Sequence, residues 1–347
     1  MKGAFIMSIS KSGKVFLLLV LALVLAFGNI TSAQEQSSEF YPVEQYVLKN
    51  PDTASELYIF NLCMRNIEFF DVHIEAFELA GQLLGVKTMV MGPSAYDTPA
   101  QISSMKASIA MKPAGILIFP PGPELGPVIN QAIEAGIPVV TICGDVPGSK
   151  RIAFVGINQY EVGVVGGEYL AKILNEKGKI GILSMTAPMF QERAQGYIDT
   201  FAKFPEMKIA AEGDTKADLP TGISVAKSIL TAHPDLNAFV CVDSVGAMSA
   251  VTAVKEAGLA GKVKILGMDR NSDTVQYIGK GLIDASVAQK GHLSTFYGMQ
   301  ILFSLRHNPM PVTTDNEAAG IMAAPVWINT GVTMVTKDNW EYFLRQW

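Results

Sequence analysis

From residue 56 onward, short apolar runs alternate with amphipathic stretches, and the whole alternation occurs twice. The first set of runs is "ELYIFNLCM" (56–64), "KTMVMG" (87–92), "AGILIFP" (114–120), "IPVVTIC" (137–143) and "RIAFVG" (151–156). The second set is "KIGILSM" (179–185), "MKIAAEG" (207–213), "LNAFVCVD" (236–243), "KVKILGMD" (262–269) and "LIDASVAQ" (282–289). Runs this short and apolar read as strands buried on both faces. Helical patterns separate them. In 71–85, Val72, Ala76, Ala80, Leu83 and Leu84 recur at helical spacing, and helices are also expected over 190–204, 221–232, 244–258, 272–280 and 291–306. Gly85 and Gly136 stand where a helix should end and a strand begin. Strands alternating with helices build right-handed crossovers and parallel sheets with helices on both faces. Two such sets exceed one open sheet, so the fold class is α/β with two similar doubly wound lobes. A composition that is 49% hydrophobic supplies the cores this needs.

The N-terminus has a different character. Lys2, Lys11 and Lys14 precede thirteen unbroken apolar residues, 15–27, and then Thr31-Ser32-Ala33. That is the layout of a cleaved secretory signal over 1–33. The apolar run falls short of the about 20 residues that span a bilayer. No cysteine near the cleavage point offers a lipid attachment site. Residues 34–55 are polar without a sustained period and read as a leader or linker. The chain is therefore expected in the periplasm. Cys63, Cys143 and Cys241 form no C-x-x-C pair, and each ends an apolar strand, which fits small buried hydrophobes better than a disulfide framework; a single bridge stays open. A net charge of -5 argues against a nucleic-acid partner.

Ligands of open parallel sheets sit at the carboxyl ends of the strands. Inspected there, this chain places Arg65, Asn66, Asp145, Arg193, Asp243, Asp269, Arg270 and Gln289 at or just past strand ends, with Phe69 and Phe70 opening a helix. If the lobes face each other, these groups meet in one cleft. Fixed carboxylates and guanidinium forks suit a hydroxyl-rich ligand, and aromatic faces suit the C–H face of a sugar ring. Taken singly, each charge has a plainer use. Asp243 also fits the N-cap of 244–258, and Asp269 a pair with Arg270 worth about 0–1 kcal/mol. One of Phe69 and Phe70 also fits the core. Recurrence at many strand ends is what favours a site.

Catalytic signatures are missing. There is no G-x-S-x-G elbow, no G-x-x-x-x-G-K-[ST] loop and no G-x-G-x-x-G after the first strand. The glycines of "GVVGGEYLA" (163–171) lie in a helical stretch and read as close helix packing. His73, His233, His292 and His307 are scattered, with no metal-ligand rhythm. The expectation is a non-enzyme with no cofactor and no bound metal.

From about residue 57 to 339 the chain resembles the periplasmic sugar-binding proteins of ABC transporters, in the ribose-binding-protein-like group. The stretches that carry the resemblance are "ILTAHPDLNAFVCVDSVGAMSAVTAVKEAG" (229–258), "VKILGMDRN", "GLIDASVAQ", "DVPGSKRIAFVGINQYEVG" (145–163) and "NTGVTMVTKDN" (329–339). The resemblance implies two lobes joined by three crossovers, near 156–158, 289–291 and 327–329. The first lobe would hold 56–157 and 291–326, the second 158–290 and 327–347. It implies a monomer that captures a sugar or polyol and delivers it to an ABC permease in the inner membrane, or a sensor that presents the ligand to a membrane receptor or histidine kinase. Ligand positions map onto Phe69, Phe70, Arg193 (through "RAQGY"), Asp243, Asp269 and Gln289. The sequence departs from ribose-type proteins where Cys143-Gly144 replace an Asp-Arg pair, Ile67 an Asn, and Ala217 and Met268 two aromatics, while Arg270 replaces a small residue. These departures imply a pocket more open, less aromatic and more charged.

Overall fold

The computed structural model describes residues 53–344, so the expected signal segment and most of the expected leader lie outside the described residues. The first sheet is built from β1 (Leu57–Asn61), β2 (Lys87–Met91), β3 (Gly115–Ile118), β4 (Val139–Ile142), β5 (Ala153–Gly156) and β11 (Trp327–Asn329), in the order β11-β5-β4-β3-β1-β2. Its strands pair in parallel. The second sheet holds β6 (Lys177–Ser184), β7 (Glu206–Asp214), β8 (Ala238–Cys241), β9 (Lys264–Met268), β10 (Ala285–Gln289) and β12 (Val332–Thr336), in the order β12-β10-β9-β8-β6-β7. Only its edge strand β12 is antiparallel, against β10. The two orders are the same winding, so β4 and β9 hold equivalent places.

Helices cover both faces of each sheet. They are α1 (Glu68–Leu84), α2 (Thr98–Ala110) and α3 (Gly126–Glu134), then α4 (Gln159–Ile173), α5 (Pro188–Phe201) and α6 (Leu219–Ala232), and finally α7 (Gly246–Glu256), α8 (Ser272–Gly279) and α9 (Gly291–His307). The two-residue alternation of a strand splits its side chains between two cores. In β1, Tyr58 and Phe60 enter one cluster while Ile59 enters the one on the opposite face. In β8, Phe239 and Cys241 face one way, Ala238 and Val240 the other. Each fully buried Phe, Leu or Ile contributes about 1.5–3 kcal/mol of transfer free energy. Local signals end the helices as expected: Gly85, at φ 67, closes α1 with its N–H on the Gln82 and Gly81 carbonyls. Asp97, Asn158 and Asp218 accept from the backbone N–H groups that open α2, α4 and α6.

The last crossover differs from expectation. Residues 327–329 were expected to begin the second lobe's share, but Trp327–Asn329 pair with β5 of the first sheet, and the Trp327 ring stacks on Phe154 at 6.3 Å. The chain changes sheet only at Thr330-Gly331, where Gly331 takes φ 63. The polar pair Asn329-Thr330 and the glycine interrupt the apolar run and mark this switch.

α9 follows β10 yet packs on the first sheet, with Met299, Leu302 and Phe303 in its core. In the second lobe, α4 and α5 approach so closely that a Cβ at Gly163 would lie 2.2 Å from the Arg193 carbonyl oxygen. One at Gly196 would lie 2.2 Å from that of Tyr160. These contacts fix the height of α5, and with it the position of Arg193.

Candidate functional site

In each sheet the winding reverses beside its first strand, at β1/β3 and at β6/β8, and loops diverge there to leave a crevice. The chain past β1 supplies Cys63 and Met64, that past β3 Phe119 and Pro121, that past β6 Met185, and that past β8 Asp243 and Ser244. All of these line one cleft between the lobes. Its cavity volume is about 80 Å³, so the two walls stand close together.

Arg193 is 1% exposed and is the largest fully buried side chain. Its Nε and Nη2 donate to Gln159 Oε1 at 3.2 and 2.5 Å, and its Nη1 donates to the Val242 carbonyl. The Phe190 ring lies 5.7 Å from its guanidinium carbon. Burial pulls its pKa down from the ordinary arginine value, while Asp269, Tyr197 and Asp243 oppose that pull. An arginine so placed stays protonated and presents its remaining N–H groups to the cleft.

Asp269 follows β9 in a left-handed conformation, φ 67, rare for a residue with a Cβ. Its Oδ1 accepts from Gln289 Nε2 at 3.1 Å. Burial pushes its pKa up to about 6, against the pull of Arg193 and of the Gln289 hydrogen bond. Asp243 is occupied differently. Its Oδ1 accepts from the N–H groups of Val245 and Gly246, both at 2.8 Å, and its Oδ2 from Thr215 Oγ1 at 2.9 Å. It lines the cleft but anchors the turn into α7. Burial raises its pKa too. Phe69 and Phe70 meet edge to face at 5.0 Å, and Phe70 meets Phe119 at 5.1 Å.

Of the residues singled out in the sequence, the cleft gathers Phe69, Phe70, Arg193, Asp243, Asp269 and Gln289. It does not gather the other four. Arg65 and Asn66 are exposed, because the loop after β1 turns Cys63, Met64 and Ile67 inward instead. Asp145 is held by Arg151, Nε–Oδ1 and Nη2–Oδ2 both at 2.5 Å, and by Thr141 Oγ1 at 2.8 Å. It lines a separate hollow beside the crossovers. Arg270 lines a small neighbouring recess with Glu68 and His73, its Nη2 3.3 Å from His292 Nδ1. The cleft also contains Tyr96, Phe119 and Phe190. Phe119 and Met185 obey the strand-end rule but carry no charge to draw notice. Gln159 contributes from outside the lining.

His73 is buried, its Nδ1 3.0 Å from the Phe69 carbonyl oxygen and its Nε2 3.1 Å from Cys143 Sγ. Burial pulls its pKa down to about 4. Cys63, Cys143 and Cys241 are all buried and unpaired to one another. Among the described residues, no group of three or more His, Cys, Asp or Glu could hold a metal ion, and no helix is long and apolar enough to cross a membrane.

Two equivalent sheets with one cleft at both reversal points have counterparts among known proteins. Residues 60–307 match the family described as "Periplasmic binding protein domain". The chain belongs to this family. It is 30% identical over 267 residues to a D-ribose/D-allose-binding protein of Pseudomonas aeruginosa, covering 74% of this chain and 80% of that protein. It is 25% identical over 212 residues to the ribose import binding protein of Escherichia coli, covering 59% of this chain and 70% of the relative. Among solved structures of family members it resembles AraP, an arabinose-binding protein from Geobacillus stearothermophilus, at 30% identity and a TM-score of 0.75 over 84% of this chain and all of the other. A solute-binding protein from Burkholderia graminis in complex with D-arabinose matches at 26% identity and a TM-score of 0.76, over 85% of this chain and 99% of that one. All four are named as binding proteins, the Escherichia coli one of ribose import and the Burkholderia graminis one of an ABC transporter.

Proposed function

We propose that this chain is an exported solute-binding protein that captures a sugar or polyol between its lobes and, as a monomer, delivers it to an ABC permease in the inner membrane. The observation that carries the reading is the meeting of Arg193, Asp269 and Gln289 with the Phe69–Phe70 pair at the carboxyl ends of both sheets. A guanidinium fork and a carboxylate held by burial and hydrogen bonds are preorganised partners for hydroxyl groups. The aromatic pair offers a surface for C–H groups. Binding would work by lobe closure, the ligand favouring the closed arrangement through contacts made to both lobes at once. The names of the relatives, binding proteins for ribose, allose and arabinose, support the ligand class.

Isothermal titration against a panel of pentoses, hexoses and polyols tests this. Binding by at least one member, lost in Arg193→Ala and Asp269→Ala proteins that keep a native circular dichroism spectrum, is the expected result. Variants that bind as tightly as the parent would remove these residues from the site.

A further inference from the structure

The winding sets Cys143 and Asp269 in equivalent places, each one residue past the fourth strand of its sheet. Both backbones are left-handed, φ 60 and φ 67. Both N–H groups donate to the adjacent strand, Cys143 to the Val155 carbonyl at 3.2 Å and Asp269 to the Val287 carbonyl at 2.8 Å. The second lobe uses this position to bring a carboxylate to the cleft. The first lobe buries a thiol there. His73 Nδ1 donates to the Phe69 carbonyl, so Nε2 accepts from the Cys143 thiol, which Ser294 also contacts.

Nothing else on the first lobe replaces the missing carboxylate. Asp145 is committed to Arg151 and Thr141, and Arg65 and Asn66 are exposed. The first-lobe wall of the cleft is Met64, Ile67, Phe69, Phe70, Phe119 and Pro121, with the Cys63 thiol and the Tyr96 hydroxyl as its polar tips. On the opposite side Asp243 has both oxygens engaged. The polar grip of the cleft therefore lies on the second lobe: one Asp269 oxygen, the Gln289 side-chain amide, the remaining N–H groups of Arg193 and the Ser244 hydroxyl.

A ligand hydroxyl turned toward the first lobe would be desolvated without a partner, at a cost, whereas a methyl or methylene there would pack on aromatic rings. We propose that the ligand is a deoxygenated monosaccharide, held by a hydroxyl-bearing edge on Asp269, Arg193 and Gln289 and by a methyl or methylene edge on the first-lobe wall. This rests on the sugar-binding reading and narrows it.

Calorimetric titration of the full-length mature protein with matched pairs tests it: L-fucose against L-galactose, L-rhamnose against L-mannose, and 2-deoxy-D-ribose against D-ribose. The expected result is that in at least one pair the deoxy member binds about ten-fold or more tightly than its parent. In Ile67→Asn, which sets an amide on the apolar wall, that ratio should shrink toward one; an undiminished ratio would contradict the role given to the wall. Parent sugars binding as well as or better than their deoxy partners in every pair overturns the inference while leaving sugar binding intact. Heat from no member of the pairs or of the wider panel overturns both.

Discussion

Gln159 holds Arg193 and Cys143 at once. Its Oε1 accepts two N–H bonds from the buried guanidinium, and its Nε2 donates to the Cys143 carbonyl at 3.0 Å. Gln159 is the first residue of α4, just past the crossover from β5, so a single amide ties the second lobe's arginine to the first lobe's fourth strand. Gln159→Leu leaves the guanidinium short of a buried acceptor. Urea denaturation should show a loss of about 1–3 kcal/mol, with weaker ligand binding beside it. A loss within experimental scatter would mean that Val242 and the cleft alone position Arg193.

Asp269 gives the binding a pH signature. Its folded pKa of about 6 lies above the ordinary 3.8, so the empty fold favours the protonated acid. That stabilisation is complete below about pH 4 and is lost as pH rises through 6. His73 runs oppositely: with its pKa pulled from 6.5 to about 4, its neutral form stabilises the fold above 6.5 and that support is lost as pH falls through 4. Between about pH 4 and 6 the two contributions to stability therefore oppose each other. Affinity should not be flat. A carboxylate that accepts from a ligand hydroxyl must ionise, so affinity should fall below about pH 6 and level off above 7. Asp269→Asn should remove the slope in a calorimetric pH series; a slope that survives the substitution would assign it to another group.

Across the cleft, Glu68 at the start of α1 accepts from the Ser272 N–H at 2.9 Å and from its hydroxyl at 2.6 Å. The first lobe's carboxylate thus serves the N-terminus of the second lobe's α8, a favourable place for negative charge. This contact exists only with the lobes together. Glu68→Ala should raise the dissociation constant about ten-fold, mostly through faster release in stopped-flow measurements, with little change in urea stability. Unchanged release would remove Glu68 from closure.

The cysteines should be inert in the native protein. Burial pushes the Cys63 thiol up to about 12 and raises Cys143 and Cys241 as well, and the thiolate is the reactive form. Ellman's reagent at pH 8 should label none of them until denaturant is added, and then all three. Fewer than three thiols after denaturation would reveal a disulfide.

The sequence made the architecture readable because strands buried on both faces leave unbroken apolar runs, and the central strands of both sheets, β3, β4 and β5 in one and β8, β9 and β10 in the other, are of this kind. Asp269 and Gln289 were legible for a related reason: charge and amide groups at the end of a core strand need an explanation; Arg193 lies within α5 and was marked by the "RAQGY" resemblance. Arg65, Asn66, Asp145 and Arg270 satisfied the same rule and still lie outside the cleft. Neighbours on a loop point in different directions, and the partner of Asp145, Arg151, emerges only when the loop folds back. Phe119 and Tyr96 gave no signal because apolar residues past a strand look like more core. The equivalence of Cys143 with Asp269 needed the strand order of both sheets.

A crystal structure of the protein with the tightest-binding sugar of the panel tests the central claim most directly. The account predicts one ligand between the lobes, a hydroxyl within hydrogen-bond distance of the Asp269 carboxylate and the Arg193 guanidinium, and its least polar edge against Phe69, Phe70 and Phe119. A sugar seated elsewhere, or touching neither Asp269 nor Arg193, would contradict it.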